Sequence, residues 1–285
     1  MRSEAVDSRR HLLARGASAL MAAGLDRARR EALRLWTELS GESPDAALLG
    51  DGPPIAPEHA DAFASAISRR AAGEPLAYIT GTCGFRYLTL RADRRALIPR
   101  PETEGLVELV LARVHGGRVA DVGAGSGCIA LSLATEGTFG DVIAIDHSAG
   151  ALELAAENRR ATGGRISLLR GDLSAALRPG SLDALVSNPP YLTEGEHAGL
   201  DRSVRDWEPA EALAAGPDGM QVVARLLEDG RRVVRPGGWL AMEIDCARAG
   251  LCARRAGESD WTDIAIHADL FGRERYLLAR RSDAR

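Results

Sequence analysis

The sequence predicts an α/β protein in which a doubly wound sheet follows a small helical bundle, and three observations lead there. From Leu97 onward, apolar strand-like runs alternate with helical stretches. A glycine loop, Gly123-Ala124-Gly125-Ser126-Gly127, joins the strand-like Val119-Ala120-Asp121-Val122 to the apolar helical run from Cys128 to Ala134. Ahead of residue 80 the apolar positions recur at helical spacing.

In chain order, Leu12, Leu13, Leu20 and Met21, then Leu33, Leu35 and Trp36, then Ala60, Phe63, Ala64 and Ile67 mark three helices. Pro53, Pro54 and Pro57 set the third apart. A bundle of about 75 residues is too small to stand as the catalytic unit, and residues 1–77 are assigned to it. Residues 78–96 alternate enough, between Thr80-Gly81 and a turn from Arg91 to Arg95, to suggest a β-hairpin linker. Residues 97–285 form the main domain. Strands are expected near 117–122, 141–146, 165–170 and 182–187, with helices near 102–115, 126–136 and 148–162 between them. Pro236-Gly237-Gly238 turns into a fifth strand from Trp239 to Ile244. Thr262 to His267 and Tyr276 to Ala279 supply two more, completing a seven-stranded sheet with a final antiparallel hairpin.

Composition narrows the class. A chain of 285 residues holds a main core of about 190 residues and a small appendage. The net charge is −4 and all 36 basic residues are arginine. An acidic balance argues against a dedicated nucleic-acid binder, which carries a basic footprint, so nucleic acid is not the expected substrate. The arginine pairs, interrupted by acids, read as a solvated face. Cys83, Cys128, Cys246 and Cys252 lack metal-ligand spacing, so reduced thiols and no metal site are expected. Cys128 reads as a small residue packing a helix start. The segment from Met1 to Arg10 is polar and acid-containing, unlike a secretory or transit peptide. The longest apolar runs fall short of a membrane span, and a monomeric cytoplasmic enzyme is expected.

The chemistry lies in Asn188-Pro189-Pro190-Tyr191, placed after the apolar run that ends at Ser187. The Asn188 side-chain oxygen and the Pro189 carbonyl can both accept hydrogen bonds from one planar NH2 group. The prolines hold these acceptors in place, and Tyr191 offers a ring face for a flat group. Upstream, strand, glycine loop and helix are followed by a second strand ending in Asp146, about twenty residues on, where an acid can hold ribose hydroxyls. The third glycine makes the loop G-x-G-x-G, and the last position of the dinucleotide fingerprint falls on Cys128, which favours S-adenosylmethionine over a dinucleotide. His147 is placed beside the ribose or adenine, and His197 in a loop.

On these residues the chain resembles the class I S-adenosylmethionine-dependent methyltransferases of the HemK type, which methylate the glutamine N5 of peptide chain release factors. The segments from Gly73 to Gly81, from Leu97 to Glu104 and from Val204 to Pro209 are similar to that family as well, so the likeness covers nearly the whole chain. The resemblance implies a Rossmann-like sheet, S-adenosylmethionine as cofactor, and class I release factors as protein partners engaged in part by the amino-terminal bundle. It implies that Gly123, Ala124, Gly125, Ser126, Gly127, Asp146, His147, Asp172, Leu173 and Asn188 hold the cofactor. Asn188, Pro189 and Tyr191 would serve methyl transfer, with Pro190, Arg100 and Glu102 beside the substrate. Amino-methylation of a nucleic-acid base, or of another protein or small-molecule amide, uses the same logic and is the alternative. Three positions depart from the family pattern: Asp245 and Arg248 where Gly and Gln are expected, and Leu173 where an aromatic residue is common.

Overall fold

The computed structural model describes residues 8–49 and 55–283. Pro53 and Pro54, and the segment before Ser8, lie outside the described residues. The chain divides into two compact units, Met1–Gly81 with Arg202–Trp207, and Thr82–Asp201 with Glu208–Arg285.

The first unit is helical: α1 (Arg9–Ala22), α2 (Ala28–Ser40), α3 (Pro44–Leu49), α4 (Pro57–Ala71) and α5 (Leu76–Thr80), with the short α10 (Arg202–Arg205) belonging to it. Ser8 caps α1 by accepting the His11 N–H, which satisfies a donor that the helix itself cannot. Leu12, Leu20, Leu35, Trp36, Phe63 and Ile67 form its core, with Trp36 edge-on to Phe63 at 5.7 Å. Met21 and Ala64, expected inside, face solvent, and α3 is a helix that no apolar periodicity announced. Nor are the arginines here simply solvated. Arg9 is buried and donates to Glu42 at 2.6 Å, Arg70 pairs with Glu31 at 2.6 Å, and Arg69 pairs with Glu74 at 2.6 Å.

The second unit opens with an antiparallel hairpin, β1 (Thr82–Phe85) and β2 (Leu88–Arg91). The hairpin is shorter than expected because Tyr78 to Thr80 lie in α5, which Gly81 ends in the left-handed conformation at φ 72°. Asn158, fully buried on α8 (Ala149–Thr162), anchors it: its side chain accepts the Arg91 N–H at 2.7 Å and donates to the Ser126 carbonyl at 3.0 Å. One buried amide thus joins hairpin, helix and glycine loop.

Seven strands follow: β3 (Arg118–Val122), β4 (Asp141–Asp146), β5 (Ser167–Arg170), β6 (Leu182–Ser187), β7 (Val234–Glu243), β8 (Trp261–Ala268) and β9 (Glu274–Arg281). Their order is β5-β4-β3-β6-β7-β9-β8, parallel through β7, with β9 antiparallel to both neighbours. Pairing of β7 with β6 jumps from Val234 to Trp239, so Pro236-Gly237-Gly238 is accommodated as an irregularity within the strand and not as a turn before it. Successive side chains feed opposite faces. Val119, Ala184 and Val186 pack with α6 (Glu104–Leu111) and α7 (Cys128–Glu136). Ala120, Val122 and Leu185 pack with α11 (Gln221–Val233) and α12 (Ala249–Glu258). A sheet covered on both faces explains why its parallel strands read as apolar runs. The chain leaves β3 for β4 on one side and β6 for β7 on the other, so the connections from these two neighbouring strands run in opposite directions. A crevice opens there, at the carboxyl ends of the strands. No described helix is long and apolar enough to cross a membrane.

Candidate active site

A cavity of about 390 Å³ occupies that crevice, within the range of small-molecule sites. At one end the walls are largely backbone. The Gly123 and Ala124 N–H groups both donate to the Ile145 carbonyl, at 2.8 and 2.9 Å, stitching the loop after β3 to the end of β4. Gly123 and Gly125 have φ of 75° and 55°, conformations that side chains resist. The Asp146 carboxylate then accepts the Gly125 N–H at 2.9 Å through one oxygen and the Ser148 N–H at 2.9 Å through the other. Asp146, His147, Asp172 and Leu173 all line this end together with Gly123, Ala124, Gly125 and Ser126.

Gly127 does not. It caps α7 at φ 81°, and a Cβ there would stand 3.3 Å from the Ala155 Cβ. The absence of a side chain there serves the approach of α7 to α8. Cys128 begins α7 and also reaches the wall. Burial, with Asp121 nearby, pushes its thiol up, which leaves it protonated and chemically quiet. Asp121 lies fully buried on β3, accepts the Ala130 N–H at 3.1 Å, and has its carboxyl pushed up to about 7, first by burial.

The rim carries side chains. Asp172 pairs with Arg225 at 2.6 Å, and both line the cavity. His147 stands 3.6 Å from Asp146 and 3.5 Å from Glu211, another wall residue. Leu173 holds φ 47°, strained for a side chain with a Cβ.

The other end is built from side chains of distant segments. Ser187 donates to the Val122 carbonyl at 2.6 Å, fixing the end of β6 against β3. Asn188, Pro189 and Pro190 line the cavity. The Asn188 Nδ2 donates to Thr103 Oγ1 at 3.0 Å, and Thr103 donates to Glu243 Oε2 at 2.7 Å. The Tyr191 hydroxyl points to Glu243 Oε1 at 3.4 Å, and Arg275 stands 3.8 Å from that oxygen. Burial pushes the Glu243 carboxyl up, while Thr103 and Arg275 work against the shift. Burial and the charge of Glu243 push the Tyr191 hydroxyl up in turn, so it remains protonated. Arg100 is on the wall, held by Glu208 at 2.6 Å. The second oxygen of Glu208 accepts the Ile98 N–H at 3.0 Å.

Two expected substrate residues lie off the cavity wall. Tyr191 turns its hydroxyl toward Glu243, and Glu102 contributes its backbone carbonyl to the Tyr276 hydroxyl. His197 sits on α9 (Glu194–Ala198), half-buried, and not in an open loop. Thr103, Glu208 and Glu243 are site residues that the sequence patterns do not single out, although Thr103 and Glu208 stand within the Leu97–Glu104 and Val204–Pro209 segments. A carboxylate between Met242 and Ile244 at the end of an apolar strand was the available signal, since a buried charge requires partners.

The family model described as "Methyltransferase small domain" matches residues 101–203, and "PrmC N-terminal domain" matches residues 11–81. The chain is 39% identical to the release factor glutamine methyltransferase of Cereibacter sphaeroides, over 92% of this chain and 94% of the relative. It is 41% identical to that of Nitratidesulfovibrio vulgaris, over 77% of each. The chain belongs to the release factor glutamine methyltransferase family. A methyltransferase from Pyrococcus furiosus has the same fold, with a TM-score of 0.52 at 17% identity over 68% of this chain and 88% of that one.

This family member is an S-adenosylmethionine-dependent methyltransferase, and the site's donor set fits that cofactor. Gly123 has nothing within 4 Å of where a Cβ would stand, so backbone is exposed to a ligand. Asp146 and Asp172 supply acceptors for hydroxyl and amino groups, and Ile129, Leu173 and Val222 supply apolar wall. Among the described residues no cluster of His, Cys, Asp or Glu could hold a metal. The departures from the family pattern resolve locally. Asp245 caps the 3₁₀ turn Cys246–Arg248, and Arg248 pairs with Asp245, with Glu196 at 2.8 Å and with the Asp218 carbonyl at 3.0 Å. An ion pair closes the turn after β7 where a glycine was expected.

Proposed function

We propose that this chain transfers a methyl group to the side-chain nitrogen N5 of the glutamine in the Gly-Gly-Gln loop of class I peptide chain release factors. The observation that carries the reading is Asn188 on the cavity wall with its NH2 occupied by Thr103. Its Oδ1 is therefore left to accept. Bound S-adenosylmethionine supplies an electrophilic sulfonium methyl; Asp146, Asp172 and the loop from Gly123 to Ser126 are the residues to hold it.

An amide nitrogen is a weak nucleophile because its lone pair is conjugated with the carbonyl. Asn188 Oδ1 and the Pro189 carbonyl supply acceptors for its two hydrogens, so the gain is one of orientation. Pro189 and Pro190 remove the backbone freedom that would otherwise be lost on binding. Methylation leaves the nitrogen positively charged and far more acidic than the amide, so water suffices to take the proton. Arg100, fixed by Glu208, lines the same cavity and would contact the substrate backbone. Residues 1–77 would engage the release factor, 78–96 link, and 97–285 carry the chemistry.

The test is to incubate the protein with methyl-labelled S-adenosylmethionine and, separately, release factor, total RNA and DNA, and to locate the label by mass spectrometry. Label on the Gly-Gly-Gln glutamine is expected. Label on a base, or none on the release factor, overturns the reading.

A further inference from the structure

We infer that Glu243, acting through Thr103, sets the orientation of the Asn188 side-chain amide, so that Thr103 and Glu243 are positioning residues for the transfer site. This deepens the function proposed above and, for its catalytic consequence, rests on it.

Proton count decides which way the amide faces. Arg275, 3.8 Å away, and the Thr103 hydroxyl favour an ionised Glu243 against the effect of burial; an ionised carboxylate only accepts hydrogen bonds, and a threonine hydroxyl has a single proton to give. Thr103 is buried and donates that proton to Glu243 Oε2 at 2.7 Å. What Thr103 then presents to Asn188, 3.0 Å away, is a lone pair. The Asn188 atom facing it must be a donor, which is Nδ2. The two ends of an Asn amide have nearly the same shape, so packing alone does not choose between them; the carboxylate does. Reversed, the amide would set two acceptors against each other inside the protein and turn its NH2 toward a substrate that itself brings NH2.

Besides Thr103, two groups face Glu243. Tyr191, next to the Asn-Pro-Pro turn, points its hydroxyl to the free oxygen at 3.4 Å, and Arg275 lies 3.8 Å from it. Asp269 holds Arg275 at 2.8 Å. Tyr191 thus acts on Asn188 from behind, through Glu243, which accounts for its place off the cavity wall.

Two readouts test this. In ¹⁵N-labelled protein without substrate, the Asn188 Nδ2 proton that faces Thr103, its resonance assigned by loss in Asn188→Ala, should exchange slowly with solvent. Thr103→Val, which keeps the shape and removes the hydroxyl, should speed that exchange at least about tenfold, and Thr103→Ser should restore it. In turnover, Thr103→Val should lower kcat by about 10- to 100-fold, the cost of a misplaced reacting group, with KM for S-adenosylmethionine unchanged and recovery in Thr103→Ser. Glu243→Gln, in which one of the two oxygens that face Thr103 and Tyr191 becomes an NH2 donor, provides a second variant and should shift both readouts in the same direction. Unchanged amide exchange in Thr103→Val, or a fall in turnover matched by weaker cofactor binding, overturns the relay. Because the exchange measurement needs no methyl transfer, a wrong substrate and a wrong relay give different results.

Discussion

The cofactor end and the acceptor end of the one cavity are assembled in different ways. At the first, Gly125 meets Asp146 across 21 positions of chain, and the contact is backbone to side chain. At the second, Asn188 meets Thr103 across 85 positions and Thr103 meets Glu243 across 140, side chain to side chain. Backbone geometry is set by a few neighbouring residues and survives many changes around it. A side-chain relay needs every member, because removing one leaves its neighbour buried and unpaired. The cofactor end should therefore lose affinity by degrees, and the acceptor end should lose rate abruptly.

The sharpest way to break this contrast is Asn188→Ala. Its methyl transfer should fall on the order of 10²–10³-fold, as when one positioned polar group is lost, while calorimetry finds S-adenosylmethionine binding largely kept. Near-normal turnover would remove the acceptor end as a distinct machine. Asp146→Ala should do the opposite, weakening cofactor affinity about 10- to 100-fold, consistent with lost hydrogen bonds to a charged group. Unchanged affinity by calorimetry would show that the carboxylate serves only the Gly125 and Ser148 N–H groups.

Gly127→Ala separates the loop's own two tasks. With φ at 81° and Ala155 at 3.3 Å from the new Cβ, it should destabilise the fold by about 1–2 kcal/mol in a denaturant titration while cofactor affinity in the folded protein holds. A loss of affinity without a loss of stability would return Gly127 to the cofactor.

The last effect concerns Asp121. Its folded carboxyl is raised to about 7 by burial, so between the ordinary carboxylate value and pH 7 the unfolded chain has released a proton that the folded one retains. Stability contributed by this group then falls as pH rises, by roughly 1.4 kcal/mol per pH unit at most. Asp121→Asn should flatten that slope in urea titrations at pH 5, 6 and 7. An unaltered slope would mean that Asp121 is ionised in the fold.

Legibility followed the same division. The glycine loop, Asp146 and the seven strands could be read because each is a local pattern: glycine where the backbone turns, an acid at a strand end, apolar runs where a sheet is covered twice. The hairpin was overextended to Tyr78 because a helical turn of five residues has too few positions to show a period. The packing of Gly127 against Ala155 is invisible in the sequence because the two are remote along the chain. Thr103 stood inside a noticed segment, but the more conspicuous Arg100 and Glu102 drew attention from it.

The α/β class, the cofactor loop, the Asn-Pro-Pro-Tyr motif and the kinship of the chain all rest on neighbours along the polypeptide and can be read from them directly. Tertiary contacts alone bring Asn188 to Thr103, turn the Tyr191 hydroxyl toward Glu243, and set Glu102 off the cavity wall while Glu208 secures Arg100. Those facts depend on which buried donors and acceptors meet, and partners separated by more than eighty positions meet only once the sheet has brought β6 and β7 side by side.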